Sequence, residues 1–339
     1  GDLAYDYIVV ATGADTNFFG MKDVESNAFP MKSLLESLNL RSKILENFEQ
    51  ALYISDLEER KKLMSFAIVG GGPTGVELAG ALSELKRNIL PKDYPDLDLR
   101  DMQIHLIEAG SRILAGMSEE SSRKSTDFLR QLGVNVWLDT SVKTYDGETV
   151  ETNTDLTIVS KNLIWSAGVK GDLPNTDDEL KIGRGNRIVV NEFCEILGLN
   201  NAYSLGDMAQ IESAENPIGH PMMASVAMQQ GTYLGKSFNK KIKKKTIEPF
   251  VYKDKGVMAT IGRNKAVAEI AKFKFKGVFA WLVWMFVHLM LLVGFRNRVV
   301  VFINWVWNYV KFNNGHRLII RKSAKNTLSS ELKEEKLVS

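Results

Sequence analysis

Along the chain, continuous apolar runs of strand length alternate with stretches whose apolar residues recur at helical spacing, the pattern of an α/β fold. The clearest instance is Phe66-Ala67-Ile68-Val69 running straight into Gly70-Gly71-Gly72-Pro73-Thr74-Gly75. Val76, Ala79, Leu82, Leu85 and Ile89 then recur at helical spacing. Strand, G-x-G-x-x-G turn and amphipathic helix, in that order, make a dinucleotide-binding unit. Gly70 permits the tight turn, Gly72 lets the backbone approach a diphosphate, and Gly75 brings helix close to strand. The diphosphate lies over the helix N-terminus, where unpaired N–H groups and the helix dipole favour negative charge. A glycine-rich loop of an ordinary α/β domain is the plainer reading, and the flanking strand and helix argue against it.

Ile104-His105-Leu106-Ile107-Glu108 reads as the next strand, with Glu108 at its end. A carboxylate there accepts hydrogen bonds from the ribose hydroxyls of NAD and repels the 2′-phosphate of NADP. The spacing from Gly75 exceeds the usual ~20 residues. The excess matches residues 90–102, where Pro91 and Pro95 predict an inserted loop. An exposed acid after a strand is the alternative.

Tyr7–Ala11 is a buried-strand run ending in Thr12-Gly13, and Met31–Leu52 has helical periodicity. Ser118 is a plausible helix N-cap, with Gly133 just past the helix end. Val134–Leu138 follows as a strand, and Val142–Val159 as a small β-meander turning at Asp146-Gly147. Leu163-Ile164-Trp165 then enters Ser166-Ala167-Gly168, a second strand-into-Ala-Gly junction that closes a nucleotide-binding domain over 60–165. Arg187–Val190 and Asn201–Leu205 read as strands of an earlier, interrupted domain. The second of these ends in Gly206-Asp207, where a carboxylate can reach a polyol hydroxyl and a following helix can offer its N-terminus to phosphate. Alone, Gly-Asp is a common turn; paired with Thr12-Gly13 it gains weight.

Residues 277–295 carry no formal charge and are flanked by Lys272, Lys274 and Lys276 before and by Arg296 and Arg298 after. Their length meets the ~18-residue threshold for a membrane span. Basic flanks and the central His288 suit a helix lying on the interface, and a buried core helix is a third reading. Val299–Val310 brings Trp305, Trp307 and Tyr309, rings that favour the headgroup region.

Net charge is +2, but residues 240–339 hold 21 Lys and Arg against 6 Asp and Glu, while the remainder holds 22 against 35. The asymmetry points to a membrane or nucleic-acid face on the basic part, and the Lys240–Lys245 cluster suits anionic lipid. The single Cys194 excludes an internal disulfide, a Cys-x-x-Cys redox pair and a thiolate zinc site. The four histidines lack ligand spacing, so no metal site is expected. The sequence opens on an apolar strand whose sheet neighbours are expected upstream, so it reads as a fragment of a longer chain.

Taken together, these stretches resemble the type II (alternative, non-proton-pumping) NADH dehydrogenases. The shared features are Val10–Gly13, Gly70–Ala79, Trp165–Val169, Leu205–Asp207, Ala224–Gly231, Ala259–Asn264 and Gly294–Arg298, in the family's order across positions 1 to about 320. The resemblance implies two Rossmann-like domains. FAD is held by the outer one (1–59 and 166–250) and NADH by the inserted one (60–165). A C-terminal membrane-associated region (251–325) and a polar tail (326–339) follow. By that analogy Thr12, Gly13, Gly206 and Asp207 touch FAD, while Gly70, Gly72, Gly75 and Glu108 hold NADH. Ala167 and Gly168 belong to the cofactor-binding set, and Glu77 lies near the nicotinamide–flavin contact. Ala224, Ser225, Ala227 and Gln229 line the quinone pocket, with Ser225 standing where the family pattern has Gln. Glu77 and Gln229 are the residues nearest the chemistry. The family's first strand–glycine–helix fingerprint for FAD has no counterpart before Gly1.

The implied enzyme is an NADH:quinone oxidoreductase, peripheral on the cytoplasmic or matrix-equivalent face of a respiratory membrane, with no nucleic-acid partner. Its oligomeric state is open, with a homodimer as one possibility. Two alternatives stand beside it. One is another quinone-reducing flavoprotein, although sulfide oxidation would need paired cysteines that this chain lacks. The other is an NAD-binding, membrane-associated sensor without turnover.

Overall fold

The computed structural model describes residues 4–212 and 217–311. The chain enters on β1 (Ile8–Val10) and β2 (Ala14–Thr16), followed by α1 (Lys22–Asn27) and β3 (Phe29–Pro30). α2 (Leu34–Tyr53) starts at a capping box in which Ser33 and Glu36 satisfy each other's backbone N–H. α3 (Leu57–Met64) leads into β4 (Ser65–Val69), buried at every position, and then into α4 (Pro73–Glu84). A π-helical turn over Leu85–Ile89 joins α4 to α5 (Leu90–Asp93). Residues 90–102 are therefore not wholly loop. Pro91 comes just after the π-helical turn, inside a continuous helical run over 73–93.

β5 (Gln103–Ile107), α6 (Glu119–Gln131) and β6 (Asn135–Trp137) come next, then the meander β7 (Val142–Tyr145), β8 (Thr149–Thr152) and β9 (Thr157–Val159). β10 (Leu163–Trp165) returns to the main sheet before β11 (Val169–Gly171), β12 (Ile188–Val190), β13 (Ala202–Ser204) and β14 (Ala209–Ile211). α7 (Ala224–Ile242), β15 (Val257–Gly262), β16 (Lys265–Ile270) and β17 (Phe273–Lys276) precede α8 (Val278–Leu291) and α9 (Phe295–Lys311).

The described residues form two compact units, 4–17 with 168–255 and 18–167 with 256–311. In the larger unit, β3-β10-β4-β5-β6 make a parallel sheet. Residues 18–59, expected with the outer domain, belong here, because β3 pairs with β10 and the apolar face of α2 fills the space beside the sheet. Phe48 stacks on Phe66 and packs against Tyr94, and Leu40 and Ile44 join the same core. Ala259, Ile261 and Val267 of the antiparallel β15-β16-β17 sheet share that core too. A further clamp joins that sheet to α6: the Glu269 carboxylate on β16 accepts hydrogen bonds from Ser118 N–H, Ser118 Oγ and Ser121 Oγ.

In the smaller unit β1 lies parallel to β13, with Val10 opposite Ser204. Ile8 and Val9, expected to be buried, are 37% and 39% exposed, because β13 is the one hydrogen-bonded neighbour of β1 among the described strands. Ile188, Val190, Cys194, Ile196 and Met208 form the core of this unit. Burial pushes the Cys194 thiol up to about 12, leaving it unreactive at neutral pH.

α8 buries only Ala280, and Phe279, Leu282 and Phe286 on it are exposed, as are Phe302, Ile303 and Val306 on α9. No helix among the described residues is long and apolar enough to cross a membrane. The polar tail and the last part of the C-terminal region, residues 312–339, lie outside the described residues.

Candidate functional site

At the carboxyl end of β4 the chain turns at Gly70 with φ +111°, a conformation L side chains rarely adopt. A Cβ here would sit 2.7 Å from Ser166 O and 2.8 Å from Ala167 Cα, so the turn is pressed against the end of β10. Gly75, one turn into α4, is tighter still, since its Cβ would lie 1.9 Å from Gly70 O. Gly72, the N-cap of α4, has nothing within 4 Å of the corresponding point. Two glycines thus close the turn while the third leaves open room over a helix N-terminus that has no side-chain cap. A diphosphate needs that combination.

The parallel pairing of β4 and β5 brings Glu108 to the same edge. Its Oε2 accepts Gly71 N–H at 2.6 Å and its Oε1 accepts Gly110 N–H at 2.7 Å. Within β5, His105 takes the indole N–H of Trp137 on β6 at 3.1 Å on Nδ1, and burial pushes it down to about 4, which keeps the ring neutral.

Glu77 lies on α4, and its Oε1 accepts from Thr260 N–H at 3.2 Å and from Thr260 Oγ at 3.3 Å. Burial raises this carboxyl above its ordinary range, while the two Thr260 donors and the charge of His288 pull the other way. The residue is therefore not a free helix-surface acid. β15 is close enough to fix it because a Cβ on Gly80 would meet Ile261 O at 2.6 Å, so that only glycine allows this approach.

In the other unit, parallel β1 and β13 deliver Thr12-Gly13 and Gly206-Asp207 to one end of the pair. Leu205 N–H bonds Val10 O at 3.2 Å, and Thr12 Oγ donates to Asp172 O at 2.6 Å. Gly206, at φ +70°, faces α7: its N–H is accepted by Gln230 Oε1 at 2.7 Å, and a Cβ would stand 3.3 Å from the Ala227 methyl. Expectation assigned a helix N-terminus to this turn. Gly206–Met208 is instead a single 3-10 turn running into β14. Asp207 favours the charged form of Arg187, whose burial lowers its pKa.

The four residues expected along a quinone pocket are on α7, each with its own contacts. Ala224 opens the helix and Ala227 faces Gly206. The Ser225 hydroxyl is 3.0 Å from the Tyr252 hydroxyl. The Gln229 amide is held at both ends by the Lys253 peptide, donating to its O at 2.9 Å and accepting its N–H at 3.0 Å. Gln230, which sequence reasoning passed over, is the buried amide that reaches the glycine turn. The i, i+4 spacing of buried Val226, Gln230 and Leu234 was the signal that could have found it. Thr260 was likewise missed as a partner of Glu77, since no local pattern links positions 183 residues apart.

These observations fit two nucleotide cofactors. The open space at Gly72 and the acid at the end of β5 suit a nicotinamide dinucleotide. Open space at Gly13, at φ +82°, at the same end of the β1–β13 pair as Asp207 suits part of a flavin dinucleotide. Ala167 packs on Gly70, and Gly168 O accepts Asn17 N–H at 3.0 Å.

Comparison with known proteins agrees. Residues 1–231 match the pyridine nucleotide-disulphide oxidoreductase family, and residues 255–311 match the NDH2 C-terminal domain. The chain is 34% identical over 331 residues to the type II NADH:quinone oxidoreductase Ndh of Mycobacterium tuberculosis, covering 94% of this chain and 70% of that protein. It is 30% identical to the external NADH-ubiquinone oxidoreductase 2 of Saccharomyces cerevisiae mitochondria, covering 91% of this chain and 62% of that one. The structure of NDH2 from Plasmodium falciparum in complex with NADH superposes with a TM-score of 0.83 at 24% identity, covering 94% and 80% of the two chains, which speaks to fold alone. The chain spans 62% to 70% of the length of the two curated relatives. On its fold, its two matched domains and its relatives, this chain belongs to the type II NADH:quinone oxidoreductases.

Proposed function

We propose that this chain belongs to a membrane-surface enzyme that takes a hydride from NADH and passes the electrons to a quinone by way of FAD, without pumping protons. The observation that carries the reading is the pair of nucleotide cradles, one at Gly70–Gly75 with Glu108 and one at Thr12-Gly13 with Gly206-Asp207. FAD, when bound, supplies the two-electron acceptor that connects the donor to the quinone. The protein's part is to bind, orient and set charge. Gly72 and the N-terminus of α4 take the NADH diphosphate, and Glu108 takes the adenosine ribose. Thr12, Gly13, Gly206 and Asp207 hold FAD, with Gln230 fixing the Gly206 turn. Ala167 backs the nicotinamide-side turn, and Gly168 continues the same segment.

Glu77 sets the charge beside the nicotinamide, and the burial that raises its pKa favours its neutral form relative to an exposed carboxyl. Ala224, Ser225, Ala227 and Gln229 remain our assignment for the quinone side, with Gln229 acting through the Lys253 segment it holds. The exposed apolar faces of α8 and α9 suit a surface attachment to lipid. We place the enzyme on the cytoplasmic or matrix-equivalent face of the respiratory membrane, with a homodimer as the assembly to check by light scattering.

The test is NADH-dependent quinone reduction by the full-length, FAD-loaded protein, with binding of NADH alone as the competing outcome. Extraction of membranes with carbonate or high salt should release the protein. Retention would contradict peripheral attachment.

A further inference from the structure

Between α8, α9 and the end of α4 lies a cavity of about 350 Å³, lined by Trp281, Trp284, Trp305, Tyr309, Arg263 and Glu84. Its volume is at the small end of the ~300–1,000 Å³ range of ligand pockets. The walls are aromatic and ordered against one another. Trp284 stacks on Trp305 at 6.3 Å between centroids, and Trp281 lies 5.4 Å from Tyr309. The Arg263 guanidinium sits 3.8 Å from the centroid of the Tyr309 ring, which holds a positive charge at one wall. Glu84 Oε2 accepts Asn88 Nδ2–H at 2.6 Å and its Oε1 accepts the Arg263 N–H at 3.4 Å, which fixes a carboxylate beside the Arg263 backbone.

A pocket with tryptophan faces and one carboxylate attracts an ammonium, through the ring quadrupoles and through charge. An arginine in the same pocket attracts a phosphate. Both at once are complementary to a phosphate joined to an ammonium by a short linker. The same two helices, on other faces, carry the exposed apolar residues Phe286, Met290, Phe302 and Ile303, so the pocket is built into the elements that would meet lipid.

We propose that this cavity is a binding site for a zwitterionic phospholipid headgroup, a phosphoethanolamine or phosphocholine still attached to its lipid. The ammonium sits among the tryptophans beside Glu84, and the phosphate is on the Arg263 side. The inference deepens the lipid-surface reading above and rests on it. It adds selection of one headgroup class to non-specific apolar and cationic attachment.

The test titrates the full chain with dihexanoyl phosphatidylethanolamine and with dihexanoyl phosphatidylglycerol, both below micelle formation, and reads intrinsic tryptophan fluorescence. The zwitterionic lipid should bind about tenfold more tightly than the anionic one, which has the same tails and no ammonium. Glu84→Gln and Trp284→Leu should each abolish that preference. Trp284→Leu leaves α4 untouched and keeps the test decisive if Glu84→Gln fails to fold. Free phosphoethanolamine should bind at least about tenfold more weakly than the lipid, since it lacks the tails. Equal affinities for the two lipids, or a preference that survives in a folded variant, would overturn the site. Equal binding of free headgroup and lipid would overturn the lipid as occupant. Co-sedimentation with phosphatidylglycerol vesicles reports surface attachment separately. Pelleting without headgroup preference defeats the pocket alone, whereas failure to pellet with any vesicle defeats the attachment on which it rests.

Discussion

Glu108 reaches back from the end of β5 and accepts the N–H of Gly71 at 2.6 Å, so the acid and the glycine turn are one hydrogen-bonded unit. On the proposed assignment of Glu108 to the adenosine ribose, a 2′-phosphate would meet this carboxylate. Like charges brought together at a binding site cost up to several kcal/mol. The protein should strongly prefer NADH to NADPH. Glu108→Gln keeps an acceptor for one backbone N–H and removes the charge, so it should narrow the ratio of kcat/KM values for the two nucleotides by about tenfold or more. An unchanged ratio would remove Glu108 from nucleotide selection.

The three glycines of the turn should separate into two classes. Gly75→Ala drives a methyl to within 1.9 Å of a backbone carbonyl and should destabilise the larger unit by about 1–3 kcal/mol or prevent folding. Gly72→Ala meets open space and should leave the melting temperature nearly unchanged, yet raise the KM for NADH by about tenfold because the methyl occupies the diphosphate's approach. Thermal melts beside NADH titrations distinguish the two. Equal melting losses in both variants would contradict the assignment.

Adjacent glutamines on α7 should likewise part company. Gln230→Leu leaves the Gly206 N–H without its buried acceptor, an omission that costs about 1–3 kcal/mol. FAD should therefore dissociate about tenfold or more faster, as read by release of flavin fluorescence. Gln229→Ala instead frees the Lys253 peptide and should raise the KM for quinone with FAD retention unaltered. The reverse pattern would exchange the two roles.

Burial raises the Glu77 pKa, so the folded state favours its neutral form. The associated stabilisation is complete below the unfolded carboxyl value of 4.5 and is lost as pH rises through the higher folded value. Glu77→Gln, which cannot ionise, should therefore gain stability relative to the wild type as pH rises, with no gain below pH 4.5. Its NADH oxidation rate should fall, and its pH–rate profile should flatten on the acid side. Parallel stability curves with unchanged turnover would make Glu77 an ordinary packing residue.

The nucleotide turn was legible because it is local: strand, glycines and helix fall within a few residues, and the steric needs of Gly70 and Gly75 are written in those residues. The meander with its Asp146-Gly147 turn and the Ser118 cap of α6 were legible for the same reason. Contacts across long sequence separations were not. β3 joining β10, Thr260 reaching Glu77 and Gln230 reaching Gly206 depend on which faces pack together, and residue spacing does not state that. Pro91 misled because a proline just after a π-helical turn and a proline in a loop look alike in a sequence. Residues 277–295 read as one long apolar stretch, whereas α8 ends at Leu291 and Gly294, at φ +85°, turns the chain into α9.

The most direct measurement is anaerobic addition of NADH to the full-length protein loaded with FAD, followed by a quinone. The account predicts that the flavin absorbance bleaches with one equivalent of NADH and returns on quinone addition, with the quinone reduced in equal amount. A protein that binds NADH while its flavin stays oxidised, or that takes up no FAD at all, would contradict it.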